Sequence, residues 1–342
     1  MSAPAARSRL TCLGRLGFGS FVILSSLWLC LALWIQAPWG TAFAIIAMLL
    51  WLLFALTQLG LFKFGALDFK RRVFIYSLGF ALALAGYFSL KPRQDRHWNP
   101  EVARLLTAQR TGDMVTLNNV RNFDWSTDGS YRERWEQRQY NLNDIEGVNI
   151  LTSYWMGPQI AHTLVSFDFK QQAPLTFSIE IRKEQHERFS AIGGFFRQYE
   201  LSLVAADEKD IIYTRTNVRG EQVYIFPVQM PKPQMQALFL EYVNKAEQLA
   251  RQPKWYNTLT SNCTTLVFDM AQAISQQTLP SDYRLLASGY LPNYLHDLNA
   301  LAPQLDMKTW YQLAHINPKV ATSQPLSSAA YSALIRQGLP QP

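Results

Sequence analysis

The sequence predicts an α+β protein in which three transmembrane helices precede one outer domain. Three observations lead to this prediction. The first 90 residues are mostly apolar, several segments between residues 148 and 228 have the pattern of strands, and residues 231–252 carry the periodicity of an amphipathic helix. The chain has 342 residues, so about 250 remain after the apolar part, enough for a domain with its own core.

Three apolar segments predict membrane-spanning helices at about residues 18–36, 41–62 and 73–90. No charged residue occurs between Arg15 and Lys63, and a spanning helix needs about 20 apolar residues. The apolar run is too long for a cleavable signal peptide, and soluble core helices are the remaining alternative. We therefore predict a membrane anchor over residues 1–90.

Basic residues predict the orientation of this anchor. Positive charges precede the first span and separate the second from the third, at Arg7, Arg9, Arg15, Lys63, Lys70, Arg71 and Arg72. Because positively charged loops stay in the cytoplasm, we expect the amino terminus inside and residue 91 onward outside. Three basic residues after the third span favour the opposite orientation, but the two basic segments outnumber them: Lys91, Arg93 and Arg96.

The outer part divides into three regions. Residues 91–112 predict a connecting amphipathic helix, with Pro100 near its start. Residues 113–300 predict one domain, with strands at "VNILTSYW", "HTLVSFDF", "LTFSIEIRK", "LSLVAAD", "IIYTRTN" and "VYIFPV", a helix over "PKPQMQALFLEYVNKAEQLARQ" and another from Cys263. Residues 301–342, rich in Pro, Ala and Ser, predict a loosely ordered tail.

Cys263 is the only cysteine of the outer domain, and it stands where a polar turn gives way to a helical pattern. The preceding residues are good helix N-caps: Thr260, Ser261 and Asn262. The first turn of a helix favours a thiolate over a thiol, and its free N–H groups can hold an oxyanion. A small, buried, unreactive cysteine is equally compatible with this stretch. Both interpretations remain open at this point.

A thiol nucleophile needs a base, and His162 is the best-placed candidate. It begins a predicted strand directly after the "GPQIA" turn, from which an imidazole can face a helix start packed across the sheet. The other histidines of the outer part lie in the membrane exit, a charged loop, a surface stretch and the tail: His97, His186, His296 and His315. A structural histidine is the alternative for His162.

The third catalytic residue should orient the imidazole. Glu180 can accept from the ring N–H if its strand neighbours that of His162, and Asp168 is a weaker rival on the His162 strand itself. A surface ion pair with a nearby cation is the alternative role for Glu180. Four further residues are predicted to bind substrate: Tyr154, Trp155, Asn262 and Arg182. Without an HExxH, a CxxC or a phosphate-binding glycine loop, we predict no metal and no cofactor.

Several motifs in order resemble the Lnb N-terminal periplasmic domain family: "NVRNFDW", "SYWMGPQIAHTLVSFDF", "IEIRKEQHERFSAIGGFFRQYEL", "KWYNTLTSNCTT" and "RLLASGYLPNYL". The resemblance covers about residues 119–295. It implies a periplasmic domain at a bacterial inner membrane and a circularly permuted, papain-like (NlpC/LRAT-like) thiol fold. That fold is similar to the lecithin–retinol acyltransferase group, in which the histidine strand precedes the nucleophile. The resemblance makes Cys263 the nucleophile and His162 the base, whereas Glu180 rests on the strand pattern.

The function that we predict is a membrane-anchored periplasmic cysteine acyltransferase, acting on lipid or lipoprotein acyl esters through a thioester. One alternative is a cysteine hydrolase (peptidase, amidase or lipid esterase) with the same dyad. The other is a non-catalytic module that binds lipid or a partner. The expected partners are the bilayer and a membrane lipid or lipoprotein. The charge of +7 is dispersed, without a Lys/Arg run, so we expect no nucleic acid partner.

Overall fold

The computed structural model describes residues 3–37, 39–61, 67–302, 304–321 and 326–340, and the side chains only from residue 13 onward. Arg7, Arg9 and Lys63, which contribute to the predicted orientation, therefore lie outside the described side chains, as does the end of the predicted second span. The chain divides into two compact units: residues 1–92 with 190–198, and residues 93–189 with 199–342. They are treated separately below as the anchor and the outer domain.

The anchor contains three long helices: α1 (Ala3–Gln36), α2 (Thr41–Leu59) and α3 (Phe69–Ser89). All three are long and apolar enough to cross a membrane, over Leu13–Gln36, Thr41–Leu59 and Phe69–Ser89. The third begins four residues before its predicted start, because the Asp68 side chain caps it by accepting from the Arg71 N–H.

Small polar residues join the helices of the anchor. The Tyr76 hydroxyl lies 2.8 Å from Ser25 Oγ and 2.9 Å from Ser26 Oγ, and Trp51 Nε1 donates to Ser26 Oγ. Hydrogen bonds of this kind hold helices together where the surroundings are apolar. The segment 190–198, with the short helix α4 (Ala191–Phe195), also belongs to this unit, and the Phe196 ring packs against Trp28.

The outer domain is built on one mixed sheet. Its strands are β1 (Thr107–Thr111), β2 (Met114–Arg121), β5 (Trp135–Asn141), β6 (Ile145–Tyr154), β7 (Ala161–Phe169), β8 (Leu175–Arg182), β9 (Glu200–Asp207) and β10 (Gln222–Val228), with a separate pair β3 (Asp124–Trp125) and β4 (Tyr131–Arg132). The strand order is β1-β2-β9-β8-β7-β6-β10, and β5 pairs with β2. The β2–β9 pair is parallel and the other pairs are antiparallel.

Helices cover both faces of this sheet. On one face α6 (Lys232–Arg251) and α7 (Cys263–Ile274) share a core with residues of β7 and β8, including Phe167 and Phe177. The opposite face is covered by α5 (Glu208–Tyr213), α10 (Asn317–Val320) and α11 (Ser328–Ile335). Two more helices complete the described part of the chain, α8 (Leu291–Asp297) and α9 (Met307–Ala314). The predicted α+β class is therefore confirmed.

The predicted helix over residues 91–112 is wrong. This region forms only one 3-10 turn, Pro100–Val102, and then enters strand β1. Its backbone carbonyl groups accept hydrogen bonds from arginine side chains. In a helix they would accept from the N–H groups of the next turn. Arg182 donates to the carbonyls of Val102 and Ala103, and Arg121 donates to that of Glu101. The amphipathic pattern arises because Val102 and Leu106 enter the cores on opposite faces of the sheet.

The predicted strand at residues 211–217 is also wrong. These residues belong to α5 and to a π-helical turn over Thr214–Val218. The Asp207 carboxylate caps the start of α5 by accepting from the Lys209 N–H. Ile211 and Ile212 are both buried in one cluster, a short apolar run that periodicity cannot assign to helix or strand.

The predicted loosely ordered tail is wrong for the residues that the structure describes beyond residue 300. Helices α9, α10 and α11 lie there, and Trp310 is completely buried against Phe226 of β10. The indole Nε1 donates to the Ala302 carbonyl at 3.3 Å. The described carboxy-terminal helices therefore belong to the core of the outer domain.

Loss of the Trp310 side chain should strongly destabilise the outer domain. We expect Trp310→Ala to lower the free energy of unfolding by about 3–5 kcal/mol, because it removes a buried indole and leaves a cavity. Denaturant unfolding of the detergent-solubilised chain measures the change, and Lys308→Ala on the exposed face of α9 is the control. A loss below about 1 kcal/mol would be typical of a surface position and would contradict this role.

Candidate active site

Cys263 is the first residue of α7, and the turn before it is fully capped. The Asn262 side chain accepts from the N–H groups of Thr264 and Thr265, both at 2.9 Å, and Thr265 Oγ1 accepts from the Asn262 N–H at 3.0 Å. This reciprocal arrangement is a capping box. Among the described residues no acceptor binds the N–H of Cys263. This N–H therefore lies beside the thiol at the positive end of the helix.

His162 lies at a point where two neighbouring strands separate. The pairing of β7 with β8 covers residues 164–167 and ends before His162. The Cys263 thiol interacts electrostatically with the His162 ring and with the backbone N–H of Thr163, and both favour its charged form. Thr163 Oγ1 lies 3.1 Å from Thr264 Oγ1, which joins β7 to the first turn of α7. Strand and helix thus bring the predicted nucleophile and base close enough to influence each other's charge.

A second segment fixes the beginning of β7. Ser288 Oγ accepts from the Ala161 N–H at 3.0 Å and donates to the Ala161 carbonyl at 2.7 Å. Gly289 lies so close to the preceding loop that a Cβ there would be 2.1 Å from the Pro158 carbonyl oxygen. Ser288 therefore fixes the backbone of Ala161, the residue before His162, and Gly289 packs against the loop that precedes it.

A chain of polar groups continues from the far side of the imidazole. His162 Nε2 lies 2.7 Å from Ser178 Oγ and 3.3 Å from Glu180 Oε1. Ser178 Oγ donates to Glu180 Oε1 at 2.7 Å, and Arg215 Nη2 donates to the same oxygen at 2.7 Å. The strands that carry His162 and Glu180 are neighbours, as the sequence prediction requires.

The pKa shifts favour an ion pair between the thiol and the imidazole. Burial raises the pKa of Cys263, but the His162 cation and the hydrogen bonds to the sulfur outweigh burial and lower the pKa below its usual value. Burial lowers the pKa of His162, but the Glu180 carboxylate and the Cys263 thiolate together raise it to about 9. Burial also opposes ionisation of Glu180, yet His162 and Arg215 hold its pKa well below the usual range.

The predicted substrate-binding residues differ in their exposure and in the partners of their polar groups. Trp155 is 42% exposed and meets the Phe189 ring edge-on at 6.0 Å. Tyr154 is half-buried, and its hydroxyl donates to the Gly289 carbonyl at 2.6 Å. The polar groups of Asn262 are used locally, because its oxygen caps α7 and its Nδ2 donates to the Thr258 carbonyl.

Arg182, also predicted to bind substrate, contacts other groups of the protein itself. Its guanidinium is buried, donates to two backbone carbonyls of residues 102–103 and lies over the Trp98 ring at 4.4 Å. Asp168, the weaker rival for the third catalytic position, is bonded to Arg336 and Asn149 instead. Six residues along a strand separate it from His162, so it does not reach the imidazole.

Two residues of the polar chain are missing from the sequence prediction. Ser178 shares the polar face of β8 with Glu180, two residues away, so the alternation that identified Glu180 could have identified it too. Arg215 lies in the π-helical turn that the sequence misassigns as a strand, and no sequence signal connects it to Glu180. Within the part of the chain that the structure describes, no group of three or more His, Cys, Asp or Glu side chains could hold a metal ion.

The thiol should react with iodoacetamide at unusually low pH. Only the thiolate is alkylated, and a lowered pKa keeps Cys263 ionised at pH values where an ordinary thiol is protonated. The rate should therefore fall only as pH drops through the lowered pKa of Cys263. Peptide mass measurement against pH reads Cys263 separately from Cys30. A midpoint for Cys263 at about 8.5, as for a free thiol, would contradict the ion pair.

The model of the Lnb N-terminal periplasmic domain matches residues 131–289, a range that contains His162, Ser178, Glu180, Arg215 and Cys263. No curated protein and no solved structure matches the chain.

Proposed function

Because the chain belongs to the Lnb N-terminal periplasmic domain family, we propose that it is a membrane-anchored periplasmic cysteine acyltransferase that acts on lipid or lipoprotein acyl esters. The observation that carries this proposal is the position of the Cys263 thiol at the start of a helix, where the charge of the His162 ring acts on it. In this proposal the outer domain has a permuted papain-like fold, since the histidine strand precedes the cysteine helix in the chain.

The first half of the reaction forms a thioester. The Cys263 thiolate attacks the ester carbonyl carbon, an S–C bond forms, and the carbonyl oxygen becomes an oxyanion. When the C–O bond of the ester breaks, the leaving alkoxide takes the proton of the His162 imidazolium. The acyl chain is then held on sulfur, and His162 is neutral.

The second half returns the enzyme to its starting state. An amine or alcohol attacks the thioester carbonyl, and the neutral His162 accepts the proton that the acceptor loses. The C–S bond breaks, the acyl group stays on the acceptor, and the thiolate–imidazolium pair is restored. Turnover should fall as pH rises through the pKa of His162, about 9, because the imidazolium is the acid of the first step.

The start of α7 suits the oxyanion. The N–H of Cys263 belongs to the first helical turn, and the capping box fixes its direction while it occupies the neighbouring N–H groups. A preorganised N–H at the positive end of a helix stabilises charge that develops in the transition state. The same feature lowers the pKa of a thiol at that position.

Exposed apolar side chains support a lipid substrate. The segment between β6 and β7, which leads directly to His162, exposes Trp155, Met156 and Ile160, and the Trp155 ring meets the exposed Phe189. Clustered exposed apolar groups are typical of binding surfaces, and acyl chains are apolar ligands. The three anchor helices would keep such a site at a membrane, and we place the amino terminus in the cytoplasm and the outer domain in the periplasm of a bacterial inner membrane.

The experiment that tests the proposal is intact-mass measurement of the chain purified from its native membrane. We expect a fatty-acyl adduct on the Cys263 peptide that neutral hydroxylamine removes, as it removes thioesters. A cysteine hydrolase with the same dyad would give an adduct that decays in water without an acceptor amine. The absence of any adduct, together with an unreactive thiol, would instead support a non-catalytic binding module.

A further inference from the structure

The hydrogen bonds around Ser178 have only one consistent direction. Ionised Glu180 can only accept, so the single hydroxyl proton of Ser178 points to it over 2.7 Å. Ser178 Oγ must then accept the bond that joins it to His162 Nε2, also 2.7 Å long. Nε2 therefore carries a proton, which leaves Nδ1 as the nitrogen that exchanges a proton with the Cys263 thiol. A hydrogen bond on one ring nitrogen thus decides which tautomer is present.

Glu180 needs a counterion to remain ionised at its half-buried position. Arg215 supplies it, since Nη2 bonds Glu180 Oε1 and the arginine side chain is only 4% exposed. A second bond, from Nη1 to the Ile211 carbonyl at 3.1 Å, fixes the guanidinium on its own segment. That segment is the π-helical turn Thr214–Val218, a rare backbone form that often occurs at functional sites.

We propose that Ser178 and Arg215 are positioning residues for His162, with Ser178 selecting the tautomer and Arg215 holding the carboxylate that Ser178 and His162 both contact. Neither residue contacts the reacting thiol, so both act through the imidazole. This inference rests on the proposed function for its catalytic meaning. The relay itself consists of four groups: His162, Ser178, Glu180 and Arg215.

Other titratable groups also face the ion pair and must stay unchanged in the test. Burial and the charge of Cys263 raise the pKa of Tyr242 on α6 and of Tyr256 in the segment before α7. The charge of Glu180 also raises the pKa of Tyr256. Behind the relay, Glu221 lies 4.0 Å from Arg215 Nε and accepts from Ser153 Oγ. The relay thus connects the α6–α7 face, where Cys263 lies, to the segment after α5 on the opposite face.

The test compares the pH midpoint of iodoacetamide alkylation at Cys263 in the detergent-solubilised chain and its variants. We expect Arg215→Met to raise the midpoint by about one pH unit, so that alkylation below the midpoint is about tenfold slower. Ser178→Ala should shift it in the same direction by less, because Nε2 remains 3.3 Å from Glu180 Oε1. Arg215→Lys should restore most of the midpoint, because it keeps the cation.

Arg336→Met is the matched control, because Arg336 also bonds buried carboxylate oxygen, that of Glu208, but makes no bond to Glu180. It should lower the melting temperature and leave the midpoint unchanged. If Arg215→Met and Ser178→Ala also lower the melting temperature but leave the alkylation midpoint unchanged, both residues are merely structural and the relay is refuted. An unchanged midpoint beside an acyl adduct refutes the relay alone. A shifted midpoint without any adduct in the wild type refutes acyl transfer alone.

Discussion

Replacing Cys263 by serine is expected to lower kcat/KM for acyl transfer by at least about a thousandfold and to remove the acyl adduct from the chain. A serine hydroxyl has nearly the size of a thiol, but the groups around it are arranged to stabilise a thiolate. The His162 imidazolium lowers the pKa of a thiol at this position. A hydroxyl ionises far too weakly for the same surroundings to produce a populated alkoxide.

The control for this substitution is Cys30→Ser, since Cys30 is the other free cysteine described and lies in helix α1 of the anchor. It should retain full activity and the adduct at Cys263. The measurements are intact mass and transfer of a labelled acyl chain from vesicle lipid to an acceptor amine. Activity of Cys263→Ser within tenfold of the wild type would show that the thiol is not the nucleophile.

His162→Ala is expected to lower kcat/KM by about 10²–10⁴-fold, the usual range for loss of an acid–base group. Without the imidazolium, burial is the dominant influence on Cys263, and burial raises the pKa of a thiol. The alkylation midpoint at Cys263 should therefore rise to that of an ordinary thiol or higher. One substitution then changes two independent readouts in a known direction.

His296→Ala serves as the histidine control. His296 is also half-buried, but its Nε2 lies 3.0 Å from the Leu305 carbonyl, and the residue is on α8. Neither activity nor the alkylation midpoint should change beyond the effect of a modest loss of stability. If His162→Ala left the midpoint at its wild-type value, the low thiol pKa would have another source and His162 would not be the base.

The sequence identified the strands that carry the site because their patterns are strong. Strict alternation marked β8, and the "GPQIA" turn marked the start of β7 to within one residue, since the strand begins at Ala161 and not at the predicted His162. The cap residues before Cys263 marked the start of α7 at the residue where the structure begins it. In each case the signal lies within about ten neighbouring residues, which is the range over which periodicity and capping act.

Two of the three wrong predictions, those for residues 91–112 and for the tail, failed because contacts with residues distant in the sequence outweigh the local pattern. Residues 91–112 have a helical distribution of apolar residues, but arginines from distant strands take the carbonyl groups that a helix would use. Residues 211–217 contain an apolar run that also suits a strand, and a capping aspartate makes them helical. The composition of the tail suggests disorder, yet Trp310 is buried in the core.

By itself, the sequence determined the three apolar helices, the α+β class and the positions of Cys263, His162 and Glu180 on their elements, because each depends on residues close together in the chain. Only the tertiary structure decided which groups complete the site. Ser178 and Arg215 meet His162 and Glu180 because β7 pairs with β8 and because the π-helical turn packs behind them. Arg215 lies 35 residues from Glu180, and no local periodicity extends that far.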